Sequence, residues 1–110
     1  MTKVTLLKDQ QDKFYGFEAT GHAGFAGYGR DIVCAAVSVL LINTANSLEE
    51  LLSKDVSSRQ DPKTGFLEVK VTDYDDPDVQ LLFRSLELGL KEIAGEHPRN
   101  LNLTNRRCNP

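Results

Sequence analysis

The order of strand-like and helix-like segments predicts an α+β domain, ββαββαβ, with two helices covering one face of a mainly antiparallel or mixed sheet. Three observations carry this expectation. Residues 3–8 and 67–71 alternate apolar and polar with the two-residue period of a strand. Val79, Leu82, Phe83, Leu86, Leu90 and Ile93 recur at helical spacing. Between these segments, Ile32 to Ile42 is apolar almost all round, the pattern of a helix buried on more than one side.

Taken in order, residues 3–8 form a first strand, and residues 12–20, rich in aromatics, form a second after the polar turn Asp9-Gln10-Gln11. Gly21 to Arg30 reads as a loop, with four glycines in nine positions. A helix then starts with Asp31 as its N-cap and runs to about Leu52. Its polar face returns late, at Asn43, Asn46, Glu49 and Glu50. Residues 55–60 and 66–73 make a hairpin around Asp61-Pro62-Lys63-Thr64-Gly65, with Leu67, Val69 and Val71 on one face and Glu68, Lys70 and Thr72 on the other. Asp76 caps the second helix, Pro77 suits its first position and Gly95 marks its end. A last short strand, 100–104, puts Leu101 and Leu103 on one face.

The 110 residues suit a single domain, 1–110, with one modest core. A hydrophobic fraction of 40% and a charged fraction of 26% exclude a disordered chain. The formal net charge of −3 offers no basic surface for nucleic acid, so no direct nucleic-acid binding is expected. The N-terminal apolar run is too short for a secretory signal, and Ile32 to Ile42, interrupted by Cys34 and Ser38, falls short of a membrane span. Two cysteines without paired spacing suit a reducing cytoplasm, where the protein is expected to work away from any membrane.

The chemistry concentrates in Gly21-His22-Ala23 and Asp31-Ile32-Val33-Cys34-Ala35-Ala36-Val37-Ser38. An imidazole and a thiol stand twelve positions apart, joined by a segment holding Gly24, Gly27 and Gly29. With Asp31 as cap, Cys34 is the third helical residue, and a helix N-terminus favours the nucleophilic thiolate. A strand leading through a loop to the start of a buried helix returns the chain near the strand's end, so His22 can reach Cys34 and move its proton. A lone helical cysteine is often only a small buried apolar residue; the glycine-rich approach and His22 favour the nucleophile here. Two roles are open to Asp31: capping the helix, which we favour, or orienting His22. Ser38, one turn after Cys34, either hydrogen-bonds the site or back-bonds to its own helix. Gly24, Phe25, Gly27, Tyr28 and Gly29 suggest a loop that closes over substrate. Cys108 lies in the polar C-terminal tail and reads as an exposed bystander. A zinc site from His22, Cys34, His97 and Cys108 would lack any recognised ligand spacing, so neither metal nor other cofactor is expected. Gly27-Tyr28-Gly29 is no dinucleotide fingerprint.

These two segments resemble the ribosomal-processing cysteine protease (Prp) family of Gram-positive and related bacteria. The shared motif lies within Gly21–Ser38, while length and element order agree along nearly the whole chain. The resemblance implies a dimeric cytoplasmic endopeptidase that works without metal through a cysteine–histidine dyad, Cys34 as nucleophile and His22 as general base and acid. Gly21, Asp31 and Ser38 would be supporting residues. It further implies a ribosomal protein substrate: members remove a short N-terminal extension from a large-subunit protein, cutting after an aromatic, apolar stretch. The alternative is a noncatalytic ribosome-assembly or protein-binding module in which Cys34 belongs to the core.

Overall fold

The computed structural model describes the backbone of residues 1–21 and 28–110, and the side chains of 1–21 and 32–110. The elements are β1 (Thr2–Lys8), β2 (Phe14–Thr20), α1 (Tyr28–Glu50), β3 (Val56–Asp61), β4 (Phe66–Val71), α2 (Pro77–Glu96) and β5 (Leu101–Arg107). The strands form one sheet in the order β3-β4-β2-β1-β5. Neighbours are antiparallel except β1 and β5, which run parallel from Thr2 opposite Leu101 to Lys8 opposite Arg107. The sheet is therefore mixed, and the predicted ββαββαβ order holds.

One hydrophobic core joins the helices to the sheet. Val4 and Leu6 of β1, Phe17 and Ala19 of β2, and Leu67, Val69 and Val71 of β4 share a single cluster with both helices. Their alternation is the reason, since every second strand residue points to the same face. From α1 the core takes Val33, Val37, Leu41 and Leu48, each at most 2% exposed. From α2 it takes Val79, Phe83, Leu86 and Leu90, the stripe expected from the sequence. By length and composition alone, Ile32–Glu50, with a mean hydropathy of 1.6, could cross a bilayer. That stretch is longer than the Ile32–Ile42 run, but here it is the central helix of a packed domain.

The hairpin between β1 and β2 turns on Asp9, whose Oδ1 accepts from the amides of Gln11 (2.8 Å) and Lys13 (2.9 Å). Asp12 takes a positive φ of 68°, a conformation Asp tolerates better than most residues. A bulge then interrupts the pairing between Leu7 and Lys8. Beyond Gly16, where β4 no longer pairs with β2, Gln80 of α2 acts like a piece of strand: its side-chain amide accepts from Phe14 N (2.9 Å) and donates to Phe14 O (2.8 Å). Phe14 also stacks on Phe83, ring centroids 5.7 Å apart. The second helix is thereby locked to β2.

Three boundaries differ from expectation in ways that matter. Asp76 caps α2 as predicted, accepting from Asp78 N at 2.8 Å. That helix, however, passes through Gly95 to Glu96 and is closed by His97, whose amide donates to Ile93 O. Helix α1 starts at Tyr28, three residues before Asp31. One interior glycine costs a helix only about 1 kcal/mol, so Gly29 does not stop an apolar helix that gains far more by packing. Finally, β5 extends to Arg107 because β1 offers it a partner along its whole length.

Candidate active site

Three backbone segments converge on the Cys34 sulfur: the start of β1, the residue after β2, and the second turn of α1. Alternation puts Thr2 on the same face as Val4 and Leu6, toward the helices. Its hydroxyl lies 3.3 Å from Cys34 Sγ and donates to the carbonyl of Gly21 at 3.2 Å. Cys34 Sγ is itself 3.9 Å from that carbonyl. The three groups form a closed triangle. Thr2 is 2% exposed and Cys34 7% exposed, so water barely reaches it.

Gly21 is needed where it stands. Its φ of +73° is a region that side-chain-bearing residues rarely adopt, and an added Cβ would lie 2.7 Å from the Met1 carbonyl oxygen. Its own carbonyl carbon is bonded to the nitrogen of His22, so the group beside the sulfur is one half of the peptide bond into the histidine.

Of the residues singled out from sequence, the structure brings Cys34 and Gly21 together. His22, Gly24, Phe25 and Gly27 lie outside the described residues. Tyr28 and Gly29 do not belong to a loop, because they form the first turn of α1. Asp31 is not the N-cap but the fourth residue of the helix, which makes Cys34 the seventh rather than the third. The correction has a chemical consequence. The free N–H groups belong to the first four residues, and the dipole's influence fades within the first turn, so helix position favours the thiolate less than expected. Ser38 is half-buried and helps line a shallow groove of about 320 Å³ with Val39, Ile42 and Asn43, while the Cys34 hydrogen bonds described go to Thr2 and Gly21.

Sequence reasoning missed Thr2. The available signal was a hydroxyl in the row that otherwise carries Val4 and Leu6 into the core. Cys108 is exposed, as expected, yet less loose than a tail: its amide donates to Lys8 O at 2.8 Å, extending β5. Beside it, burial pushes the Tyr15 phenol up to about 12, and a hydrogen bond with Cys108 adds to the shift. Among the described residues, no group of three or more His, Cys, Asp or Glu side chains is arranged to hold a metal ion.

A buried free thiol at the junction of a helix and a sheet, held against a hydroxyl and a carbonyl, can serve as a core residue or as a nucleophile, and family membership decides between them. The chain belongs to the cysteine protease Prp family, whose model matches residues 1–102, and it is a cysteine protease. A Staphylococcus aureus relative named ribosomal processing cysteine protease Prp is 27% identical over 103 residues, covering 94% of this chain and 97% of its own. The crystal structure of SMU.848 from Streptococcus mutans is 35% identical, covers 98% of this chain and 96% of that one, and superposes with a TM-score of 0.90. An essential ribosomal processing protease Prp from S. aureus, solved with a substrate peptide, is 25% identical with a TM-score of 0.88, over 96% of this chain and all of that one (100%). The S. aureus enzyme has also been solved with a covalently linked product peptide, at a TM-score of 0.84 and 26% identity over the same shares of 96% and 100%. Family membership replaces the noncatalytic-module alternative.

Proposed function

We propose that this protein is a ribosome-processing endopeptidase that removes the N-terminal extension of a large-subunit ribosomal protein, with Cys34 as nucleophile and His22 as general base and acid. The observation that carries the assignment is the seat of the thiol. Cys34 Sγ packs against the carbonyl of Gly21, and the next residue in the chain is His22. The covalent product peptide seen on the S. aureus relative supports a covalent route.

The reaction runs in two halves. The Cys34 thiol passes its proton to the His22 imidazole, and the sulfur attacks the scissile carbonyl carbon. The resulting tetrahedral intermediate collapses, the C–N bond breaks, and the imidazolium returns the proton to the departing amine. Water then attacks the thioester with His22 again as base. This releases the extension's carboxylate and regenerates the thiol. Asp31, freed from capping and one turn before Cys34, is the candidate to orient the imidazole, with Ser38 in support.

The enzyme works in the cytoplasm as a homodimer. What supports the dimer is apolar surface on α1: Ile32, Val39 and Ile42 are 68%, 66% and 51% exposed. An apolar groove of about 520 Å³ lies alongside, between Ala35, Ala36 and Val39 of α1 and Gly89 and Ile93 of α2.

The deciding experiment is cleavage of the candidate ribosomal protein carrying its extension. Cys34→Ala should lose activity by several orders of magnitude while remaining folded, and His22→Ala by about 10²- to 10⁴-fold. Cleavage by Cys34→Ala within a few-fold of wild type would remove the nucleophile assignment. A wild-type enzyme that cuts model peptides but leaves the ribosomal protein whole would remove the substrate assignment.

A further inference from the structure

We propose that Thr2 is a working member of the reaction centre, its hydroxyl a two-way hydrogen-bond partner that accepts from the Cys34 thiol at rest and donates to the thiolate once the proton has left. The inference rests on Cys34 being the nucleophile.

The geometry constrains how protons are placed. Thr2 has one hydroxyl proton and two lone pairs. The Gly21 carbonyl can only accept. With Cys34 protonated, the arrangement with the shorter contacts sends Sγ–H to Thr2 Oγ1 across 3.3 Å and Thr2 Oγ1–H to Gly21 O across 3.2 Å; the reverse, Thr2 Oγ1–H to Sγ with Sγ–H to Gly21 O, stretches its second bond to 3.9 Å. When the thiol proton leaves for the base, the sulfur becomes an anion 3.9 Å from a carbonyl oxygen that cannot help it. Rotation about the Thr2 Cβ–Oγ1 bond, with no heavy atom moving, turns the hydroxyl proton from Gly21 O to the sulfur. A hydrogen bond to an ionised acceptor is roughly twice as strong as a neutral one, so the hydroxyl favours the thiolate on balance.

The need for such a donor follows from the helix. Cys34 stands seventh in α1, beyond the free amides of the first turn. Among the described residues, Thr2 is the side chain in hydrogen-bond contact with the sulfur. Burial at 2% exposure keeps water from doing the same work, and the β-branch restricts where the hydroxyl can swing.

The test is Thr2→Val, which preserves shape and removes the hydroxyl, with Thr2→Ser as rescue. Both are made in a Cys108→Ser background so that one thiol is read. Thiolate formation is followed against pH by ultraviolet absorbance, with the Cys34→Ala protein as blank, and cleavage of a substrate peptide is measured in parallel. Thr2→Val should displace the ultraviolet thiolate titration to higher pH than the parent's by about one pH unit, a tenfold loss of thiolate on the limb below the midpoint. Cleavage should fall about as much, recovering toward alkaline pH, and Thr2→Ser should restore both to within a few-fold. A Thr2→Val titration superimposable on that of the parent overturns the proposal. Should that variant not fold, the S–H stretch of Cys34 in the parent protein decides by infrared spectroscopy: a band lowered by hydrogen bonding supports the proposal, and a free-thiol band overturns it. Cleavage that survives in Cys34→Ala would instead refute the nucleophile assignment, whatever the titration shows.

Discussion

At the residue scale, the site is made by small groups that leave little tolerance. Gly21 is the sharpest case, since its left-handed backbone and the nearby Met1 carbonyl both exclude a side chain. Gly21→Ala should destabilise the protein by about 1–3 kcal/mol through backbone strain, read as a lowered denaturant midpoint. It should also move the carbonyl away from the sulfur, so activity ought to fall further than stability explains. A fully active, wild-type-stable Gly21→Ala protein would show the close approach to be dispensable. The neighbouring sheet face teaches a related lesson. Alternation puts Glu68 on the face opposite Leu67 and Val69, yet it is only 8% exposed there, held by Arg59 Nε at 2.9 Å and Lys70 Nζ at 3.9 Å. The Arg59 hydrogen bond, opposed by partial burial, keeps its carboxyl below the usual range. A strand period tells which way a side chain leaves the backbone and not what meets it there.

At the element scale, the ends of α1 and the turns decide more than propensity does. The β1–β2 turn depends on the ionised Asp9, whose Oδ2 also accepts from Tyr74 Oη at 2.8 Å. The amide of Lys13, first among its partners, holds the Asp9 carboxyl below its ordinary value of 3.8. A depressed folded-state value stabilises the fold above the unfolded-state pKa, and that contribution disappears as pH falls through the folded value. Unfolding midpoints should therefore decline below about pH 4, and Asp9→Asn should be less stable at neutral pH with a shallower acid decline. Identical acid limbs for the two proteins would assign the pH dependence to Asp12, Glu68 and Asp76, which are depressed as well.

For the whole molecule, α1 faces two environments. Its Leu41 is fully buried in the core and its Val39 is 66% exposed beside the groove with α2. Leu41→Ala should cost about 2–5 kcal/mol as a core cavity. Val39→Asp should leave the fold intact but, if this surface joins two copies, convert the dimer to monomer by light scattering. A Val39→Asp protein that keeps the dimer mass would move the interface elsewhere, and a wild-type protein that is monomeric at micromolar concentration would refute the dimer itself.

The sequence by itself determined the element order, the stripe of α2 from Val79 to Ile93 and the core row of β4. Each is written in short-range periodicity or in adjacent residue types, so each can be read without knowing where the chain turns. Only the tertiary structure decided that α1 starts at Tyr28, because packing the helix outweighs the local cost of Gly29. It alone revealed Thr2 beside Cys34, a contact across 32 positions made when β1 and α1 pack face to face. It alone fixed β5 parallel to β1 along seven residues, since that pairing joins opposite ends of the chain. Local pattern records how a residue leaves its own backbone; the partner it meets depends on closure of the whole sheet.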